Sequence, residues 1–320
     1  MRTLRVDTSW CGEHGIGRYS REVLSRLKTS WNPLKVLGNP GSIPNLFFPR
    51  IAKSSDLIYS PGYNAGLAGA TQVVTVHDLI HLETDKYRYR AYYDHVVRPA
   101  IVKARIVFTV SQTSRIAIES WVDDSRVDVI VTGNGCSDEF SCERSMRDGS
   151  SYLVYVGNDK KHKNFDVLLR TIAYMRELEL VAVMPDHARA AARAFELGIS
   201  ERVRFVSGLP DANLCDLYRG AIATVMPSTI EGFGLPAVES LASGTPVVYW
   251  AGCASIAEIV GTAGIGVQSS SDVAEWAQAI ETLRVTDIGF DPQSIKSLYS
   301  WDKVAGIIDT TLRSKLSEYV

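Results

Sequence analysis

Residues 141–156 read SCERSMRDGSSYLVYV, and the change of character inside this stretch decides the fold. Ser141–Ser151 is short and mostly polar. It gives way at once to Tyr152–Val156, a run apolar enough for a strand covered on both faces of a sheet. A polar lapse followed by a fresh buried strand marks an interdomain linker. Length agrees with it. At 320 residues the chain exceeds the usual single domain and suits two domains of roughly 150 residues.

Working outward, both halves alternate short β-runs with helical stretches. Before the linker the runs are Leu4–Thr8, Asp56–Tyr59, Gln72–Val76, Ile106–Val110 and Val127–Val131, each closed by a Pro, Gly, Ser or Asn signal. A glycine-containing turn (Gly12, Gly15, Gly17) precedes a helix with Tyr19, Val23, Leu24 and Leu27 at helical spacing. After the linker the runs are Tyr152–Val156, Leu180–Met184, Val203–Val206, Ile222–Met226 and Pro246–Tyr249. This alternation predicts α/β architecture, with parallel sheets carrying helices on both faces. The expected domains are 1–145 and 151–299. Residues 300–320 form an amphipathic terminal helix (Val304, Ile307, Ile308, Leu312, Leu316) returning to the N-terminal domain. Open sheets of this kind bind ligands beyond the carboxyl ends of their strands, so the chemistry is expected in the loops there, facing a cleft between the two halves.

Composition narrows the function. A net charge of −2 leaves no footprint for nucleic acid. Five scattered cysteines (Cys11, Cys136, Cys142, Cys215, Cys253) contain no CxxC pair, so small buried thiols are expected instead of a disulfide framework or zinc site. The first residues, MRTLRVDTSW, lack a signal-peptide core, and no run of about 18 apolar residues occurs. The expected location is the cytoplasm.

The sharpest motif is Pro227–Glu239, PSTIEGFGLPAVE. Gly232 and Gly234 open a tight loop after a strand, and Pro236 suits a first helical turn. Free N–H groups at a helix start attract phosphate or hydroxyl oxygens. The carboxylates of Glu231 and Glu239 can accept from sugar or ribose hydroxyls. Spacing alone reads equally as a Gly-Pro turn with one solvated and one salt-bridged glutamate.

This glutamate pair, seven residues between its members, resembles the EX7E signature of family 4 retaining glycosyltransferases of the GT-B fold. GIGRYSREVL (Gly15–Leu24), VTVHDLIHL (Val74–Leu82), VSQTSR (Val110–Arg115), NGCSDEF (Asn134–Phe140), VGNDKKHKNFDVLL (Val156–Leu169), VRFVSGLPDANLCDLYRGA and SWDKVA resemble further landmarks of that family, in its order. The resemblance implies two Rossmann-like doubly wound domains facing across a deep cleft, 1–145 shaping the acceptor site and 151–299 binding the nucleotide-sugar donor. It also implies transfer of a hexose, with mannose from GDP-mannose favoured over UDP-sugars, to a saccharide or lipid-linked glycan acceptor in polysaccharide biosynthesis.

It further implies roles. Glu239 would hold the nucleotide ribose. Glu231, with Gly232, Phe233, Gly234 and Leu235, would hold the donor sugar. Lys163 would neutralise the departing diphosphate, helped by His162, with Gly15 and Gly17 close to the phosphates. His77 would lie beside the sugar, although by itself it reads as a buried strand-end histidine bonded to backbone. Asn158 stands where many members carry arginine, and Lys160, Lys161 and His162 are the candidate replacement charges. The GN…HKN form of this loop resembles a subgroup acting on polysaccharide precursors. No metal ligand set is evident and none is expected, since Lys163 supplies the cation.

In the N-terminal half, Lys86, Arg88 and Arg90 interleave with Tyr87 and Tyr89. That cluster suits contact with anionic lipid headgroups on the inner face of the membrane, and equally an ordinary solvated helix face. Trp10 and His14 stand near the glycine loop, where an acceptor sugar would be touched. The rival readings are a nucleotide-sugar epimerase, which EGFGLPAVE and the HKN loop disfavour, and a catalytically silent binding subunit, which Asn158 alone invites. A dinucleotide dehydrogenase fits poorly, because the first loop reads GxxGxG, not GxGxxG.

Overall fold

In a computed structural model of the chain, these apolar runs become twelve short parallel strands among the described residues. The structure describes residues 3–12, 15–35, 38, 42–47, 52–67, 69–83, 87–142 and 151–318. Residues 143–150 of the expected linker, together with His14 and Lys86, lie outside them. The chain divides into two units, Met1–Gly135 with Ser300–Val320, and Cys136–Tyr299.

The first unit holds β1 (Leu4–Asp7), β2 (Trp31–Leu34), β3 (Leu57–Ser60), β4 (Thr71–Val74), β5 (Ile106–Thr109) and β6 (Asp128–Val131). Four of them pair in the order β2-β1-β3-β4, and β5 pairs with β6. A parallel bridge from Thr75 to Phe108 joins the two sets, with Val76 N–H donating to the Phe108 carbonyl at 2.9 Å. Every residue of β3, β4 and β5 is buried, as expected for parallel strands with helices on both faces. Helix Gln112–Val122 begins at Ser111, whose hydroxyl accepts from Ser114 N–H, and stops at Asp123 in the left-handed region.

The terminal helix Trp301–Ser317 belongs to this first unit and packs on helix Gly15–Arg26. Val304, Ile308 and Leu312 are its buried stripe, with Trp301 edge-on to Tyr19 at 5.9 Å. Ile307, expected on that stripe, points outward instead, because the 3.6-residue period gathers 301, 304, 305, 308 and 312 and leaves 307 off the face. Asp309 accepts from the backbone N–H groups of Lys28 and Thr29 at 3.1 and 2.7 Å, pinning the helix to the end of the first one.

The second unit holds β7 (Tyr152–Val156), β8 (Glu179–Val183), β9 (Val203–Val206), β10 (Thr224–Met226), β11 (Val247–Trp250) and β12 (Gly264–Val267), ordered β12-β11-β10-β7-β8-β9. Its core runs from Leu153, Tyr155 and Leu168 to Val225, Val248, Trp276 and Ile280. The unit begins earlier than the expected boundary after residue 145, because the segment before the polar stretch is tied into it. Cys136 N–H donates to the Tyr299 carbonyl at 2.8 Å, Arg219 Nε donates to the Ser141 carbonyl at 2.7 Å, and the Phe140 ring packs against Tyr218.

Candidate functional site

The second unit has the strand order 3-2-1-4-5-6 when counted from β7, so β7 and β10 are neighbours whose following helices leave to opposite sides. Ligands bind at that switch point, beyond the strand ends. Two loops emerge there, 157–164 after β7 and 227–234 after β10. They carry the sharpest motifs in the sequence.

In the first loop the Tyr155 hydroxyl donates to the Asn158 carbonyl, and the Asn158 side-chain oxygen accepts from Lys160 N–H at 3.1 Å. Lys161–Lys163 then makes one tight turn, closed by Asn164 in the left-handed region at φ 51°, with its amide donating to the Ser270 carbonyl. Thr229 latches the second loop onto the first. Its N–H and hydroxyl both donate to the His162 carbonyl, at 2.7 and 3.1 Å. The latch brings Lys163 Nζ to 2.6 Å from Glu231 Oε1, both side chains partly buried. Ser255 fixes the other end of Glu231 by donating to its backbone carbonyl at 2.8 Å.

Gly234, at φ 122°, turns the chain into helix Leu235–Ala242. Side chains rarely adopt that backbone, so the glycine is required by conformation. Phe233 packs edge-on against Tyr299 at 5.6 Å. About one turn into the helix, Glu239 is only 4% exposed, and its Oε2 accepts from the buried Tyr218 hydroxyl at 3.1 Å. A carboxylate held this deep must be hydrogen-bonded. Burial raises the Tyr155 phenol above its usual range, with the charges of Glu231 and Asp159 adding to it. Burial likewise raises the Cys253 thiol, with Glu231 pushing the same way and Lys163 opposing.

The structure thus brings Asn158, His162, Lys163, Glu231, Gly232, Phe233, Gly234, Leu235 and Glu239 to one sheet edge. His77, Gly15 and Gly17 lie in the first unit. His77 is 9% exposed, with Nε2 at 3.0 Å from the Pro61 carbonyl and its ring edge-on to Tyr19 at 4.7 Å. Gly15 is exposed at the helix start, while Gly17 is buried where any Cβ would run into the Gly12 carbonyl. Arg88 and Arg90 are exposed on helix Tyr87–Tyr92 beside Tyr87, which is 88% exposed. No described helix is long and apolar enough to cross a membrane, and no described cluster of three His, Cys, Asp or Glu side chains could hold a metal ion.

Two features escaped the sequence reading. Tyr218 sits in the quoted stretch DANLCDLYRGA, but nothing in its spacing announces the Glu239 contact. Asp7, at the end of β1, is a fully buried carboxylate serving four donors. Only its position at a strand end could have marked it.

The fold and this edge define a class, the GT-B arrangement of doubly wound α/β units. Anabaena HepE, solved in complex with UDP and glucose, superposes with a TM-score of 0.76 at 17% identity, over 98% of this chain and 100% of that one. Residues 138–284, which contain Asn158, His162, Lys163, Glu231 and Glu239, match the family model of glycosyl transferases group 1. The D-inositol 3-phosphate glycosyltransferase of Corynebacterium kroppenstedtii is 34% identical over 209 residues, 56% of this chain and 46% of that protein. The O-antigen chain mannosyltransferase RfbU of Salmonella typhimurium is 28% identical over 184 residues, 55% of this chain and 51% of that protein. The chain spans about half the length of these curated relatives.

Proposed function

We propose that the protein is a retaining glycosyltransferase that moves a hexose from a nucleotide sugar to a saccharide or lipid-linked glycan acceptor, without a divalent metal. The carrying observation is the Lys163–Glu231 contact at the β7/β10 switch point, one short loop from the buried Glu239. Lys163 and Glu231 satisfy each other's charge. A nucleotide sugar would separate them, Lys163 taking the diphosphate and Glu231, with the backbone of Gly232–Leu235, taking the sugar. Glu239, oriented by Tyr218, would accept from the ribose hydroxyls. His77 and the Gly15–Gly17 turn are assigned to the donor from the first unit on the resemblance alone.

The bond from the anomeric carbon to the β-phosphate oxygen breaks, and its electron pair stays on the diphosphate. Lys163 stabilises that growing charge better in the transition state than in the ground state, which is what accelerates the step. The acceptor oxygen bonds to the same face of the anomeric carbon, and its proton passes to the leaving phosphate oxygen. Same-face transfer retains configuration. The donor we favour is GDP-mannose, on the resemblance and with a mannosyltransferase among the relatives in support; UDP-glucose is the first rival, supported by the UDP and glucose in the HepE complex. The basic, aromatic face of Arg88 and Arg90 is the proposed contact with anionic lipid.

The test is thermal stabilisation and nucleotide release with GDP-mannose, UDP-glucose and dTDP-glucose, in EDTA. Donor at 100 times its dissociation constant stabilises the native state by roughly 2.7 kcal/mol. One donor class should shift the melt and release its nucleotide, and Glu239→Ala should remove the shift. If no donor shifts the melt or is turned over, the reading fails, and a silent subunit takes its place.

A further inference from the structure

Lys163 and Glu231 meet at 2.6 Å, but that contact is not all that holds them in place. Two hydroxyl side chains grip the backbone on either side of the pair, one on the lysine loop and one on the glutamate loop.

Thr229 holds the lysine side. It lies three residues beyond β10, partly buried, and it donates to the carbonyl of His162, the residue before Lys163. Its N–H reaches that carbonyl at 2.7 Å and its hydroxyl at 3.1 Å. One carbonyl oxygen has two lone pairs, so it can take both donors, and the double contact fixes direction as well as distance. The lysine loop cannot slide along the glutamate loop without breaking both bonds.

Ser255 holds the glutamate side. It is the second residue of helix Ala254–Val260, 1% exposed, and its hydroxyl donates to the Glu231 carbonyl at 2.8 Å. Behind it stands the buried Cys253, with Sγ 3.8 Å from the Ser255 oxygen. A hydroxyl has one proton, and Ser255 gives it to the carbonyl. The thiol is therefore the donor in the contact behind, and the chain runs from Cys253 S–H to Ser255 O–H to Glu231 C=O. Burial raises the Cys253 thiol and keeps its proton in place. Every member of this chain is neutral, so it survives when Lys163 and Glu231 part.

That survival matters, because the ion pair cannot position its own members during the reaction. A donor whose diphosphate takes Lys163 and whose sugar takes Glu231 breaks the contact between them. The backbone holds remain. We propose that Thr229 and Ser255 are positioning residues of the glycosyl transfer, Thr229 for Lys163 and Ser255 for Glu231, and the proposal rests on the glycosyltransferase reading. Side chains supported in this way lie where the transition state needs them before the donor arrives, and a misplacement of about 1 Å costs on the order of 10²-fold in rate. The ribose-binding Glu239 is oriented separately, by Tyr218, so misplacement of the pair falls on turnover and spares donor affinity.

Nucleotide release and melt shift on the full chain, with GDP-mannose, UDP-glucose and dTDP-glucose, test it. Ser255→Ala should lower release at saturating donor about 10-fold, with half-saturation of the melt shift within about twofold of wild type. Thr229→Val keeps the shape and the backbone bond but loses the hydroxyl, and should lower release several-fold. Thr229→Ser restores the hydroxyl and should recover most of the rate. A residue that served the fold alone would behave in the opposite way, with a lower melting temperature and unchanged release at saturation. If Ser255→Ala fails to fold, the two Thr229 variants decide. Release like wild type in the variants, a loss confined to donor affinity, or a Thr229→Ser no better than Thr229→Val would each overturn the proposal and leave the glycosyltransferase reading standing. A wild type that neither binds nor turns over any of the three donors overturns that reading, and this one with it.

Discussion

The two switch points of this molecule lie at equivalent places in two doubly wound sheets and are built from different chemistry. At β7/β10 the loops meet through a lysine–glutamate contact at 2.6 Å, with glycines bringing backbone close to whatever binds. At β1/β3 the buried charge is a carboxylate satisfied by hydroxyl and amide donors, and the approach is walled with aromatic rings. Equal topology therefore supplies a place to bind, while side chains decide what binds. One edge sets a lysine against a glutamate, and the other sets a carboxylate among neutral donors.

Breaking the charged edge should have the largest effect. Lys163→Ala leaves Glu231 partly buried without its partner and removes the cation that meets the diphosphate. Losing one such preorganised donor typically costs about 10²–10³ in turnover. Glu231→Ala should fall in the same range, and the double variant should cost far less than the product, because the two act on one transition state. Single-turnover kinetics with the accepted donor measure it. Full additivity would show that the pair seen at 2.6 Å is not a functional unit.

The units also differ in continuity. The second is one stretch of chain, whereas the first is completed only by the returning helix Trp301–Ser317. Asp309 holds that return. Burial pushes its carboxyl up, but the Thr29 backbone N–H and hydroxyl, the Arg313 charge and the Lys28 N–H outweigh it and leave the pKa lowered. A lowered folded value means stabilisation that is full above the unfolded carboxyl range of about 3.9 and lost as pH falls through the folded value. Asp309→Ala should cost about 2 kcal/mol at pH 7, and the gap to wild type should close as pH drops below about 4. Denaturant midpoints at several pH values decide it. A gap that shows no narrowing at all as pH falls below about 4 would place the energy in helix packing, not in the carboxylate.

How much of this is legible in sequence depends on burial. Strands covered on both faces, such as IVFT and YLVYV, announce themselves, and β5 and β7 fall where their apolar runs predict. The two strands that escape, β2 (WNPL) and β12 (GIGV), are edge strands, where a proline or glycine is tolerated and the apolar run dissolves. The β7/β10 residues are legible because glycines, a proline and charges cluster within short loops. Asp7, Asn64 and Trp10 are spread over residues 7–64 and share no spacing, so only the β1–β3 pairing makes them neighbours. The start of the second unit is hidden for a related reason. Cys136 and Ser141 are held by Tyr299 and Arg219, partners distant in sequence.

Two glycines sharpen the comparison at a smaller scale. Gly234 has room for a methyl group, its nearest neighbours lying at 3.5 Å, but an unsuitable φ of 122°. Gly17 has no such backbone demand, but a Cβ there meets the Gly12 carbonyl. Gly234→Ala should therefore cost about 1–2 kcal/mol of stability from conformation alone and weaken donor binding. Gly17→Ala should push the preceding loop off the Gly12 carbonyl and cost stability through that clash, not through φ. Melting curves of the two variants compare the costs. A Gly17→Ala protein that melts with wild type would show that the loop moves aside freely.

The smallest expected effect tests how Glu239 is held. Tyr218 Oη donates to Glu239 Oε2 at 3.1 Å from a wholly buried position, so it orients the carboxylate without touching the ligand itself. Tyr218→Phe keeps the ring that packs against Phe140 and removes one neutral-to-charged hydrogen bond. The net loss should be about 0.5–1.5 kcal/mol, roughly 2–10-fold, and it should fall on donor KM while kcat stays near wild type, because the ribose is bound alike in ground and transition states. Against a donor analogue lacking the ribose hydroxyls the penalty should vanish, since an oriented Glu239 then has nothing to accept. A fall in kcat with KM unchanged would mean that Tyr218 acts on the reacting sugar through the helix start at Gly234, and the division between a binding glutamate at 239 and a catalytic one at 231 would have to be redrawn.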